Sequence, residues 1–123
     1  MLKGLRSIGY PVADLAAAKN WYSAVTGLTP YFDQPFYVGF NVGGFELGLL
    51  PAEGKAAVPG EPHTLWGVDD IAASYAALLE RGATPHYPPT DVGGGIVCAV
   101  VRDPFGNLLG LIHNPHFDPA AVR

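Results

Sequence analysis

PVADLAAAKNWYSAVTGL, residues 11–28, is the stretch that decides the fold. Pro11 and Val12 close an apolar run over residues 5–12 that reads as a short strand. Asp14 is placed to cap a helix, because its carboxylate can accept a hydrogen bond from a free amide of the first turn. Leu15, Ala18, Tyr22 and Val25 then recur at helical spacing, and Gly27 stands where a left-handed C-cap is wanted. The same order returns further along. Val68-Asp69-Asp70-Ile71 matches Val12-Ala13-Asp14-Leu15, Asp70 is again placed to cap, Ile71, Tyr75, Leu78 and Leu79 form a stripe, and Gly82 stops it.

Outward from these two segments lie apolar runs that read as strands. In the first half they fall near 28–33, 36–42 and 45–50, broken by Gln34-Pro35 and Gly43-Gly44; in the second they fall near 63–68, 84–87, 95–102 and 107–112. Arg102-Asp103-Pro104-Phe105-Gly106-Asn107 reads as the turn before the last of them. Each half is therefore strand, helix, strand, strand, strand, too small to be comfortable alone. The expected organisation is one domain over 1–123, with repeats at about 5–50 and 63–112, a linker at 51–62 and a tail at 113–123.

Composition sets outer limits. Hydrophobic residues make up 49% of the chain and charged residues 15%, enough for a core and too apolar for disorder. The net charge is -4, and the seven Lys and Arg residues form no basic stripe, which argues against nucleic acid as a partner. The single Cys98 has no internal disulfide partner, which fits a reducing compartment. No apolar run has the length of a membrane span, and the opening residues 1–6 lack one of signal-peptide length. A cytoplasmic protein with no membrane partner is expected.

The duplicated unit, with PVADLAAAKNWYSAVTGL in the first half and DPFGNLLGLI at residues 103–112, resembles the vicinal oxygen chelate superfamily of glyoxalases, bleomycin-resistance proteins and ring-cleaving dioxygenases. The resemblance covers roughly residues 5–112. It implies an α+β fold in which two βαβββ modules form an open, cup-shaped mixed sheet with helices outside and ligands inside. It also implies a metal site at four positions, held in metal-binding members by His, Glu or Gln. Those positions fall here on Ser7, Gly48, His63 and Gly110. Glycine side chains offer no donor and serine is a poor ligand, whereas a catalytic divalent ion typically takes about three protein ligands. The expectation is no metal and no cofactor. That argues against the metal-dependent glyoxalase, epimerase, dioxygenase and fosfomycin-resistance chemistries.

Strand alternation then assigns faces. If Gly48 faces the cup, so do Glu46 and Leu50, while Phe45, Leu47 and Leu49 face the helices. Counting from Gly110 sends Leu108 and Ile112 inward as well. His63 is either a neutral strand histidine bonded to backbone or a donor and general base, its unperturbed pKa lying near ~6.5. Glu46 is either a solvated rim carboxylate or a group that binds a cationic or hydroxylated ligand or pairs with His63. Of Tyr31, Phe32, Phe36, Tyr37 and Phe40, about two thirds are expected in the core and the rest lining the cup or a dimer seam. Trp21 and Trp66 are expected in the core, Cys98 as a buried small hydrophobe, and His113 and His116 in tail packing or at the rim.

The resulting expectation is a small-molecule binding protein of the glyoxalase and bleomycin-resistance kind, a homodimer that takes an aromatic or cationic ligand. Ser7, Tyr37, Glu46, Gly48, His63, Leu108 and Gly110 are the ligand-binding candidates, with His63 and Glu46 the catalytic ones. The alternative is a lyase or isomerase of the glyoxalase type, either without metal or with one completed by other residues.

Overall fold

The computed structural model of the protein describes residues 1–123. In chain order the elements are β1 (Leu5–Val12), α1 (Leu15–Thr26), β2 (Phe32–Gln34), β3 (Tyr37–Val42), β4 (Phe45–Pro51), β5 (His63–Gly67), α2 (Ile71–Glu80), β6 (Thr84–Gly93), β7 (Ile96–Arg102) and β8 (Leu108–His113), followed by a 3-10 turn at Pro119–Ala121. This is an α+β fold of two βαβββ modules. No helix is long and apolar enough to cross a membrane.

The chain divides into two compact units. The first comprises Ser7–Pro62 with Asp118–Arg123, the second Met1–Arg6 with His63–Phe117. In the first unit the strand order is β2-β3-β4-β1. β1 runs parallel to β4, and the β2–β3 and β3–β4 pairs are antiparallel. In the second the order is β5-β8-β7-β6, with β5 parallel to β8 and the remaining pairs antiparallel. The two units thus share the same mixed strand order, in keeping with the repeated letters.

Both helices start as their sequences dictate. Asp14 accepts a hydrogen bond from the amide of Ala17 at 3.0 Å, and Asp70 accepts one from Ala73 at 3.0 Å. Each satisfies an amide that the first turn otherwise leaves without a partner, a contribution of about 1 kcal/mol. Gly27 ends α1 at φ +70, a left-handed conformation that glycine takes without a Cβ clash. α2 is capped one residue earlier than its glycine, at Arg81.

In the first unit the core is the α1-facing side of the sheet. Val38, Phe40 and Leu49 are buried, and Tyr10, Leu15, Ala18, Tyr22 and Leu47 pack on them. Phe40 is 0% exposed, and removing such a ring from water contributes roughly 1.5–3 kcal/mol. In the second unit Ala99, Val101 and Leu111 are buried on one face, with Trp66 in register beside Leu111. The turn into β8 is built by Asp103, whose Oδ1 accepts from the amides of Phe105 (2.9 Å) and Asn107 (2.8 Å). Those bonds, the one from Asn107 first, hold its carboxyl below the usual carboxylate range.

Several expectations are corrected. Trp21 is 60% exposed and packs edge-on against Tyr22 at 4.8 Å between ring centroids. It lies one position off the Leu15–Ala18–Tyr22 stripe, about 100° around the helix, so the period itself turns it outward. Val25 is exposed too, because the core cluster ends at Tyr22. Of the aromatic run only Phe40 is fully buried; Tyr31, Phe32 and Phe36 are exposed and Tyr37 is half-buried. The run falls on both faces of β2 and β3, and only one face has a helix against it. β2 is only three residues long, Phe32–Gln34, and keeps two residues of the span near 28–33, whereas β6 extends ten residues through Gly93, past its two central prolines. Register shifts along β6–β7 accommodate those prolines. Cys98 is half-buried rather than buried. His113 closes β8 and its Nδ1 lies 3.2 Å from the carbonyl of Val68, while His116, in the tail, reaches the carbonyl of Gly94 at 2.7 Å.

Candidate functional site

The chemistry of the first unit gathers on the sheet face away from α1. In β4, Leu47 and Leu49 belong to the core side, so Glu46, Gly48 and Leu50 point to the other. Pairing carries that face across the neighbours, because partners in register share a side. Glu46 stands beside Ser7 of β1 and Asn41 of β3, and Gly48 stands beside Gly9 and Gly39.

Two phenols hold the Glu46 carboxylate. Tyr37 donates to Oε1 at 2.6 Å, and Tyr31 donates to Oε2. Hydrogen bonds to an ionised acceptor are roughly twice as strong as neutral ones, and here each carboxylate oxygen receives one. A carboxylate offers about four lone-pair sites, so acceptor capacity remains for a further donor. Glycines make the arrangement possible. A Cβ at Gly48 would lie 1.9 Å from the Tyr37 hydroxyl oxygen, and one at Gly39 would lie 3.1 Å from Glu46 Oε2 and 3.2 Å from the Tyr31 ring. The tyrosines lie over these two glycines with their hydroxyls turned onto the carboxylate.

Tyr31 is 63% exposed as a residue, with its phenol partly desolvated beside Glu46. That desolvation, then the bond to Glu46 and the repulsion of its negative charge, pushes the phenol well above its ordinary value. Tyr31 therefore stays protonated, and a donor to Glu46, throughout the neutral range. Phe32 contacts the rings of Phe36 and Tyr37 edge-on, both at 6.0 Å, giving the site an aromatic flank. Ser7 shares the face of Glu46, but it is only 3% exposed and its Oγ is buried without a hydrogen-bond partner.

The second unit carries the remaining candidates. Leu65, Gly110 and Val100 are in register on one face, which alternation extends to His63, Leu108 and Ile112. His63 is half-buried, with its ring edge-on to His86 at 5.9 Å. A Cβ at Gly110 would lie 2.3 Å from Leu65 Cδ2 and 2.5 Å from the carbonyl oxygen of Thr64. Its side-chain space is filled by apolar and backbone atoms, where the corresponding space at Gly48 holds a phenol.

These residues do not fit a divalent ion. Gly48 and Gly110 offer no donor, their side-chain spaces are taken, and no three His, Cys, Asp or Glu side chains gather closely enough to hold a metal. Sequence reading named Tyr37 and Glu46 together but missed Tyr31 as the second phenol on the carboxylate. The signal available was Gly39, a strand glycine that pairs with Gly48 and leaves room for a second ring.

The chain matches the Glyoxalase/Bleomycin resistance protein/Dioxygenase superfamily over residues 4–111. It belongs to that family. Among curated proteins it is similar to the uncharacterized protein YurT of Bacillus subtilis (strain 168). They are 38% identical over 77 residues, 56% of this chain and 60% of YurT, so the matched part spans less than two thirds of that relative. Among solved structures, a variant of Streptomyces coelicolor methylmalonyl-CoA epimerase superposes with a TM-score of 0.70 at 20% identity, covering 96% of this chain and 99% of that one. The Mycobacterium tuberculosis methylmalonyl-CoA epimerase gives 0.70 at 20% identity, covering 91% and 88%. At that identity the likeness is one of fold.

Proposed function

We propose that the protein binds a small organic molecule, without a divalent metal, on the sheet face of the first unit that carries Glu46. The supporting observation is the carboxylate itself. Its two oxygens are fixed by Tyr31 and Tyr37 while lone pairs stay available, a preorganised acceptor for a ligand N–H or O–H. The exposed rings of Tyr31 and Phe36 beside it favour a flat apolar body, and the negative charge favours a cationic donor. An aromatic amine combines both.

The test is a thermal-shift panel on metal-free protein, comparing aromatic amines with their neutral isosteres. Saturating amine is expected to raise the melting temperature. Glu46→Gln keeps the shape and removes the charge, and should weaken binding by roughly tenfold, about 1.4 kcal/mol. Equal responses to amines and neutral isosteres, or an unchanged affinity in E46Q, would refute the proposal.

A further inference from the structure

Arg6 presents a different kind of chemistry, inside the second unit. Its guanidinium lies flat against the backbone of Gly67, where a Cβ would come within 2.7 Å of Nε, 3.0 Å of Cζ and 3.1 Å of one terminal nitrogen. The other terminal nitrogen passes Gly4, where a Cβ would be 3.1 Å away. On top, the Phe117 ring centroid sits 4.0 Å from Cζ, a close cation–π contact. Gly67 is a strand residue, where glycine weakens a strand unless a close approach needs it. The approach here is the guanidinium.

That cradle fixes a cation and gives it no anion. Arg6 forms no ion pair, in contrast to Lys3 with Asp69 and Lys19 with Asp33. Its one hydrogen bond is long, 3.4 Å to the carbonyl of the adjacent Leu5, and it lies at the surface. A guanidinium has five N–H donors in a planar fork. Most of the fork is therefore unspent on a side chain already held in place, so a binding partner meets little ordering cost.

We propose that Arg6 is the binding point for the carboxylate group of a small organic ligand. The planar, two-oxygen carboxylate matches the fork with two parallel N–H···O bonds. The inference is independent of the Glu46 site and of the reading built on it.

The experiment follows the arginine Nε–H resonances by NMR during titration with benzoate, at ionic strength held constant with sodium chloride, since screening alone shifts exposed charges. The resonance absent from Arg6→Lys identifies Arg6. It is expected to move saturably with benzoate in the wild type. R6K keeps the charge and loses the fork, and benzoate affinity read from backbone amides should fall at least tenfold. Phe117→Leu keeps the arginine and removes its platform, and affinity should fall several-fold. Glu46→Gln should leave the titration unchanged, which separates this site from the amine site. An Arg6 resonance that does not move, or that chloride moves as far, would overturn the proposal. So would unchanged affinity in R6K, and inorganic phosphate binding as tightly as benzoate would overturn the carboxylate assignment.

Discussion

Gly48 in the first unit and Gly110 in the second occupy equivalent places in a duplicated module, yet the space a side chain would take is filled in opposite ways. At Gly48 it holds the hydroxyl of Tyr37, tied to a carboxylate. At Gly110 it holds a methyl of Leu65 and the backbone of β5. One position has been converted into a polar, hydrogen-bonded arrangement and the other into ordinary packing. The comparison teaches that duplication conserves register but not chemistry. Once a position carries no side chain, whatever neighbour enters decides whether the place is a site or a piece of core.

The largest expected effect breaks that comparison directly. Gly110→Ala forces a methyl against a backbone carbonyl that cannot move without its strand, and should cost about 2–3 kcal/mol, the upper part of the usual range for overpacking. Gly48→Ala meets only the far end of a tyrosine, which can swing away, and should cost about 1 kcal/mol while removing the Tyr37 bond to Glu46. Urea unfolding of both variants checks the stabilities. G48A should also lose amine binding, and G110A should retain it in whatever fraction remains folded. Equal destabilisation by the two would erase the distinction.

A smaller effect sharpens the polar side. Because its folded value is raised, Tyr31 contributes stability that is fully present below the ordinary phenol value, near ~10, and lost as pH climbs through the higher folded value. A spectrophotometric titration should show one phenol ionising well above the rest, and Tyr31→Phe should delete that step. If the last step survives in Y31F, the Tyr31–Glu46 bond is not what raises it.

The smallest effect concerns Ser7. A buried hydroxyl without a partner carries its desolvation cost with nothing to offset it. Ser7→Ala should leave stability within about 0.5 kcal/mol or raise it slightly, and calorimetry can resolve the sign. A loss above about 1 kcal/mol would mean the hydroxyl is bonded and belongs to the site.

Much of this was legible in the letters. Asp14, Asp70 and Gly27 announce helix ends because capping is local chemistry, and the match of Val12–Leu15 to Val68–Ile71 announces the duplication because it is a pattern of letters. Alternation along β4 separates Glu46 and Gly48 from Leu47 and Leu49, since period two is a property of the strand. What was not legible depends on tertiary packing. Nothing in the spelling of Tyr31, Phe32 and Phe36 says that no helix covers their side of the sheet. Nor does Gly67 show that its missing side chain is replaced by Arg6, sixty-one positions earlier. A glycine in a strand signals that something approaches closely; the fold alone says whether that is a phenol, a leucine or a guanidinium.

The central claim is that Ser7, Gly48, His63 and Gly110, the positions the family resemblance assigns to metal ligands, offer too few donors to hold a divalent ion. Elemental analysis of the protein after exposure to zinc, nickel, manganese and iron(II) followed by dialysis tests it most directly. The account predicts well under about 0.1 equivalent of any of them, since one histidine among two glycines and a serine cannot replace the waters an ion must give up. Near-stoichiometric metal that disappears in His63→Ala would contradict it.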